Sequence, residues 1–395
     1  MQRFVKRRFP VLALVVLAVI AGFGPDETEA HKWVTSRYTY NDDIFQILRD
    51  RCGHCHVEGG PAPMGLMTWN DGPNSTVPWG ASIRQLVIDE QMPPWYADPT
   101  GPAVRGGRGL SAIESDKLLT WVTGGTPQGN PDAVLPEVKY RSAWSGGPPD
   151  VEVPMETEYT MAAGTREEAK EFSIATSLSE PRWLKAVDLL PGAPAIVRNA
   201  LISLEGGPVL AVWVPGDDLV AAPSGAAFRL PAGAKLRIEI HYKKQWQTEG
   251  QAITDRSTVG LYFTDPPISG RPIGSLAVAP PAVSENDSEQ SFEPFTGELS
   301  SNSRVVALRP SLDRVYGSLS IEAVTPAGTR VPLLKLRMPR PEWRRRYWLA
   351  APADLPAGTR IEVTRTPPPA HVDLVGADVM KTYPLQVALE FVPLD

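Results

Sequence analysis

The sequence predicts a multidomain chain: an all-α N-terminal domain followed by two all-β sandwich modules. Three observations carry this. Helix signals cluster before about residue 136. Beyond GGTPQGNPDAVLPEVKY the text turns to short β-rich runs broken by Pro and Gly. Inside that β-rich half a phrase repeats: LPAGAKLRIEI begins at Leu230 and LPAGTRIEVT begins 125 residues later, at Leu355. Two tandem modules of about that size are expected, split near Pro267, with cores drawn from alternating positions such as Leu236, Ile238 and Ile240. At 395 residues the chain has room for this, since domains usually run to about 100–200 residues.

The first element is a targeting signal. Arg3, Lys6, Arg7 and Arg8 precede an apolar run over 11–23, which is short against the about 20 residues of a membrane span. The polar PDETEA follows, with small residues at Thr28 and Ala30, so a secretory signal over 1–30 is expected, with an uncleaved anchor as the alternative. The chain is therefore expected to be periplasmic or exported. The remaining divisions are a helical domain over 31–134, a linker over 135–148, and sandwich modules over 149–267 and 268–395.

In the helical domain, YNDDIFQILRDRC places Asn41 as an N-cap, Asp42 and Asp43 in the first turn, and Ile44, Phe45 and Leu48 on one face. This helix delivers Cys52. A second helix is signalled by LSAIESDKLLTWVTGG, where Ser111 and Glu114 form a capping box, Leu118, Leu119 and Val122 the apolar side, and Gly124 the stop. Between them PAPMGLMTW and QMPPWYADPTGP read as loops.

Composition excludes more than it selects. The net charge of −6 supplies no basic face for nucleic acid and names no partner. Cysteine usage is more telling: only Cys52 and Cys55 exist. Three residues apart, they are poor disulfide scaffolding, so the sulfurs point to chemistry.

CGHCH, residues 52–56, matches C-x-x-C-H, the attachment signature of c-type haem. Two thiols three apart at the end of a helix reach two vinyl groups of one porphyrin, and the imidazole of His56 meets the iron from the same side; His54 is the variable position. A zinc site needs four ligands, and no second C-x-x-C or spaced His pair follows. A redox dithiol wants a strand-turn-helix setting, whereas here the cysteines end a helix. A haem in an electron carrier usually takes Met as its second axial ligand. Met92, 36 residues after His56 and stiffened by Pro93 and Pro94, is the expected ligand; Met67 is the reserve, and Met64 lies only 8 residues on.

IFQILRDRCGHCHVEGGPAPMGLMTW, QMPPWYAD and LSAIESDKLLTWVTGGTPQGNP resemble the cytochrome c domain that precedes copper type II, ascorbate-dependent monooxygenase-like domains in exported bacterial proteins. The resemblance covers about a quarter of the chain. It implies thioethers at Cys52 and Cys55, His56 and Met92 as axial ligands, and Phe45 packing near Trp121. The stretch LPAGAKLRIEIHYKKQWQTEGQAITDRSTVGLYFTDPP is similar to the monooxygenase fold of two jelly-roll-like sandwiches with one copper each. That likeness implies His241 as a ligand of the first copper. Arg198 and Asn199 stand where its His pair belongs, and Ser311 and Asp313 where the second copper's histidines belong.

The chain has five histidines, at positions 31, 54, 56, 241 and 371, too few for two such coppers. A scaffold without catalytic metals follows: His241 is read as an ordinary strand histidine, His371 as a loop residue, and His31 as the mature N-terminus. Arg105 and Arg108 are placed either to pair with haem propionates or as solvated loop residues. The run RPEWRRRYW over 340–348 reads as an exposed edge strand protected by charge.

The functional expectation is an exported monohaem electron carrier with one haem c, no copper, an unnamed redox partner protein and a β half used for docking in a periplasmic or membrane-associated complex. The alternative is a haem-fed, copper-dependent monooxygenase with atypical ligands.

Overall fold

The structure is a computed structural model that describes residues 35–70, 75–94, 97–267, 269–281, 292–370 and 383–394. The expected signal, His31 and His371 lie outside the described residues. Among those residues no helix is long and apolar enough to cross a membrane.

Most of the chain is β-sandwich. The first sandwich uses β1 (Val151–Pro154), β2 (Tyr159–Met161), β3 (Glu167–Ala175), β4 (Arg182–Leu190), β5 (Val197–Leu204), β6 (Val209–Trp213), β7 (Phe228–Leu230), β8 (Lys235–Lys243), β9 (Ile253–Asp255) and β10 (Thr258–Thr264). Its two main sheets run β1-β10-β4-β7 and β3-β8-β5-β6, with β2-β9 as a separate ribbon. The second uses β11 (Gly274–Val278), β12 (Phe295–Glu298), β13 (Ser303–Ser311), β14 (Ser318–Val324), β15 (Arg330–Arg337), β16 (Tyr347–Leu355), β17 (Arg360–Thr366) and β18 (Gln386–Pro393). Its sheets run β11-β18-β13-β16 and β12-β17-β14-β15. Both sandwiches arrange eight principal strands in the same order, the double-sheet pattern of a jelly roll.

The repeated LPAG marks the same turn in both. Leu230 ends β7 and Leu355 ends β16, and in each case the chain then crosses to the other sheet. Gly233 (φ 65°) and Gly358 (φ 78°) supply the left-handed conformation that this turn needs. Beyond the first turn Leu236, Ile238 and Ile240 are all buried, as their alternation along β8 predicts.

The described residues do not form the expected all-α cytochrome domain. Among the described residues the chain before the sandwiches holds three short helices, α1 (Phe45–Arg51), α2 (Gly80–Ile88) and α3 (Ala112–Thr123), with a π-helical turn over Tyr40–Ile44 ahead of α1. The rest is loop. The physical reason lies in the Pro- and Gly-rich connections, which cannot extend a helix and which run along the second sandwich instead. Ala97 bridges Leu336 and Val104 bridges Leu349, so this segment covers β-sheet as well as packing on itself.

Local helix signals fared unevenly. The Ser111–Glu114 capping box forms on α3. The first cap is Thr39 rather than Asn41, because the helix opens with a π turn whose Asp42 N–H reaches the Thr39 hydroxyl. Tyr40 lies 6.0 Å from both Phe45 and Trp121, ring centre to ring centre, and joins those two side chains in one small core.

Asp98 pins the loop to β15. Its side chain is almost wholly buried and accepts from Lys335 Nζ at 3.0 Å and Arg337 Nε at 2.9 Å. Burial pushes the carboxyl up, but Arg337, Thr100 and Lys335 together hold it well below the usual carboxylate range. A depressed folded pKa stabilises the fold fully above the unfolded value, about 3.9, and that contribution is lost as pH falls below it. The stability difference between wild type and Asp98→Asn in urea melts should therefore be largest at neutral pH and shrink below about pH 4; a constant difference would contradict this anchoring.

The arginine run is not an exposed edge. Arg340, Arg344, Arg345 and Arg346 are buried, paired with Glu342, Glu239, Asp217 and Glu390 respectively. Their partners lie in both sandwiches, so the run is an internal seam.

Candidate functional site

A cavity of about 460 Å³ opens where the helical segment meets both sandwiches. That lies within the about 300–1,000 Å³ usual for ligand pockets. Its helical wall is apolar, with Leu48, Ile83, Leu86, Leu110 and Leu118; the β wall presents Arg198, Pro215, His241, Glu342 and Trp343.

Cys52 caps α1, its N–H bonded to Leu48 O at 2.8 Å. The chain then turns tightly: the N–H groups of Cys55 and His56 both reach Cys52 O, at 3.0 and 2.8 Å. This turn puts Cys52, His54, Cys55 and His56 on the cavity. Gly216 (φ 75°) lets the β6–β7 loop close over it, since a Cβ there would stand 2.3 Å from the His54 Cβ. The Cys55 thiol faces Pro215 O at 3.7 Å.

Both cysteines are free thiols. Burial first, and for Cys52 also the neighbouring Cys55, pushes each up to about 12. Dithiol catalysts lower the pKa of their attacking sulfur, so the electrostatics run opposite to that chemistry. Among the described residues no group of three or more His, Cys, Asp or Glu is placed to hold a metal ion.

His56 carries the most specific geometry. Its Nδ1 lies 3.1 Å from the Met64 carbonyl oxygen. A carbonyl only accepts, so Nδ1 bears the proton and Nε2 keeps its lone pair. A backbone carbonyl behind the ring is the usual way that a metal-binding imidazole is fixed in orientation and tautomer. Desolvation lowers the His56 pKa, the Met64 contact opposing it, which favours the neutral ring.

Met92 lines the same cavity. It follows α2, held by N–H bonds from Gln91 and Met92 back to Leu86 O at 2.9 and 3.1 Å. Met64 also lines the cavity, but its carbonyl stands behind the His56 ring, on the side away from Nε2. Met67 packs into the small helical core and does not line the cavity. The cavity lining thus sets Met67 apart and keeps both Met64 and Met92 on the cavity.

Of the two loop arginines, Arg108 lines the cavity while Arg105 points elsewhere and donates to Ala221 O at 2.8 Å. Arg108 pairs with Asp218 at 2.8 Å, yet its buried Nη1 has no partner. Sequence reasoning missed Arg198 as a cavity residue, and it placed His241 on a strand with no cavity in view. His241 Nε2 lies 2.7 Å from Glu167 Oε1, and its Nδ1 lies 3.3 Å from Asn199 Nδ2.

No family model matches the chain, and no curated protein matches it. Among solved structures it is similar to the major capsid protein P2 from Bacteriophage PM2 (11% identity, 61% of this chain and 96% of that one, TM-score 0.25). It is also similar to a Paenibacillus xanthan lyase (11%, 69% and 28%, TM-score 0.19) and to the PBSX exported protein XepA (11%, 67% and 97%, TM-score 0.19). Likenesses this weak carry nothing about function. The resemblance to a cytochrome c domain fused to monooxygenase-like modules is overturned: no helical cytochrome domain is seen, and no family match supports either part. The positions implied for the second copper have other roles. Ser311 is buried in β13, and Asp313 accepts from the Tyr316 hydroxyl at 2.6 Å.

Proposed function

We propose that the chain binds one haem covalently through Cys52 and Cys55 and serves as an electron carrier. The observation that carries this reading is convergence: two thiols, an imidazole with its lone pair on Nε2, and the Met92 thioether all line one cavity of suitable size. When bound, the haem supplies a one-electron iron couple.

The chain's own residues do the rest. Cys52 and Cys55 tether the porphyrin to the end of α1. Met64 O holds the His56 ring with Nε2 available to the iron. Met92 offers a soft sulfur that favours the ferrous state and raises the potential. Leu48, Ile83, Leu86 and Leu118 keep water away, which also favours the less charged centre. His56 and Met92 would both be used to hold the haem iron, and a centre held in this way by two side chains would supply electron transfer rather than catalysis.

The full chain, exported in cells that attach haem to C-x-x-C-H, should be purified with haem that survives denaturation. Its ferric spectrum should show the long-wavelength sulfur-to-iron band. Met92→Ala should abolish that band and lower the midpoint potential while leaving covalent haem content unchanged. Survival of the band would remove Met92 from the assignment, and wild-type protein without covalent haem would overturn the reading.

A further inference from the structure

We infer that Arg198 binds a carboxylate of the haem proposed above and thereby sets its reduction potential. This rests on the covalent-haem reading and adds to it a residue that neither the motif nor its spacing could supply.

The cavity is ringed by cations, and their partners single out one of them. Arg51 pairs with Glu114, Arg108 with Asp218, Lys243 with Glu167, Arg340 with Glu342 and Arg345 with Asp217. Arg198 pairs with no carboxylate among the described residues; its one hydrogen bond there runs from Nη1 to Ala195 O at 2.9 Å. A guanidinium has five N–H donors, so most are left for a ligand. Its environment is dry enough to bring its pKa down to about 10, mainly through desolvation. Arg198 is half-buried, and Glu167 acts on it only through space without an ion-pair contact, so the fold keeps beside the cavity a cation that has no directly bonded carboxylate.

The backbone aims it there. Register between β5 and β8 shifts between Val197 and Asn199, which face Tyr242 and His241, so Arg198 is the extra residue of a bulge. Bulges re-aim a side chain out of the alternation of a strand. A haem brings two carboxylates, and Arg is suited to hold one with paired N–H groups.

A carboxylate neutralised by Arg198 no longer stabilises ferric iron, so removing the cation should favour the ferric state. In redox titrations of the exported full chain, Arg198→Leu should lower the midpoint by about 59 mV, equivalent to a roughly tenfold change in the ferrous-to-ferric equilibrium constant. Arg198→Gln, which keeps a hydrogen-bond donor and loses the charge, should match it and carries the test if the leucine variant does not accumulate. Arg198→Lys should recover most of the shift, and Arg105→Leu, away from the cavity, should leave the potential unchanged. The propionate bending band in the resonance Raman spectrum should move in Arg198→Leu. Covalent haem with an unaltered midpoint in the leucine and glutamine variants overturns the inference alone, as does a lowered midpoint with an unmoved propionate band. Wild-type protein lacking covalent haem overturns the underlying reading.

Discussion

A chain carrying Cys52→Ala and Cys55→Ala together is expected to emerge without any haem that resists denaturation and acid-acetone extraction. Each single variant should keep one thioether link at reduced yield. The reason is geometric. Both thiols are delivered by one feature, the C-terminus of α1 and the tight turn that folds Cys55 and His56 back onto Cys52 O. In the proposed attachment each sulfur would add its S–H across one porphyrin vinyl group, so one missing thiol would remove one link and leave His56 in place. In His56→Ala both thiols remain, so covalent haem should persist while its axial coordination changes. Haem that stays with the double alanine variant after extraction would show that attachment does not use these cysteines.

Arg346→Ala should cost about 3–5 kcal/mol of stability, the usual penalty for stranding one member of a buried ion pair. Arg346 Nε and Nη2 hold Glu390 of β18 at 2.6 and 2.9 Å, while Nη1 and Nη2 reach Leu210 O and Val209 O in the first sandwich at 2.5 and 2.7 Å. Its guanidinium also lies 5.2 Å from the Phe228 ring and 5.3 Å from Trp348. One side chain thus ties two sandwiches and neutralises a carboxylate that is nearly inaccessible to water. Removing it leaves Glu390 with Arg309 alone, at 3.4 Å. Denaturant melts of the full chain should show a lowered midpoint. Replacing Arg346 and Glu390 together by leucine should recover only part of the loss, because it removes the stranded carboxylate but also takes from Arg309 its partner Glu390. A change below about 1 kcal/mol for Arg346→Ala, the range of exposed pairs, would show that the seam does not couple the sandwiches.

Local sequence signals read well where the physics is local. The capping box at Ser111 needs only two side chains and one helix end, and it forms. The alternation through Leu236, Ile238 and Ile240 needs only a strand with one dry face. The LPAG repeat marks a turn that requires a left-handed glycine, and both copies have one. Signals that depend on distant partners misled. The run 340–348 reads as charge on an edge, but each of its arginines meets a carboxylate, and all but one of those carboxylates lie far away in sequence. Helix signals around CGHCH suggested a closed helical domain, whereas the connecting loops spend their length against the second sandwich.

The sequence by itself determined the chemistry at hand: two cysteines three apart, a histidine directly after them, and a methionine before two prolines. These are covalent and short-range facts, legible without a fold. Only the tertiary structure decided which groups share a cavity. It put Met92 on the cavity and left Met67 in the small core, it gave His56 its carbonyl partner, and through a bulge in β5 it brought Arg198 to the same space. A bulge, a seam and a cavity wall depend on pairing between residues far apart in the chain, and no local pattern encodes that pairing.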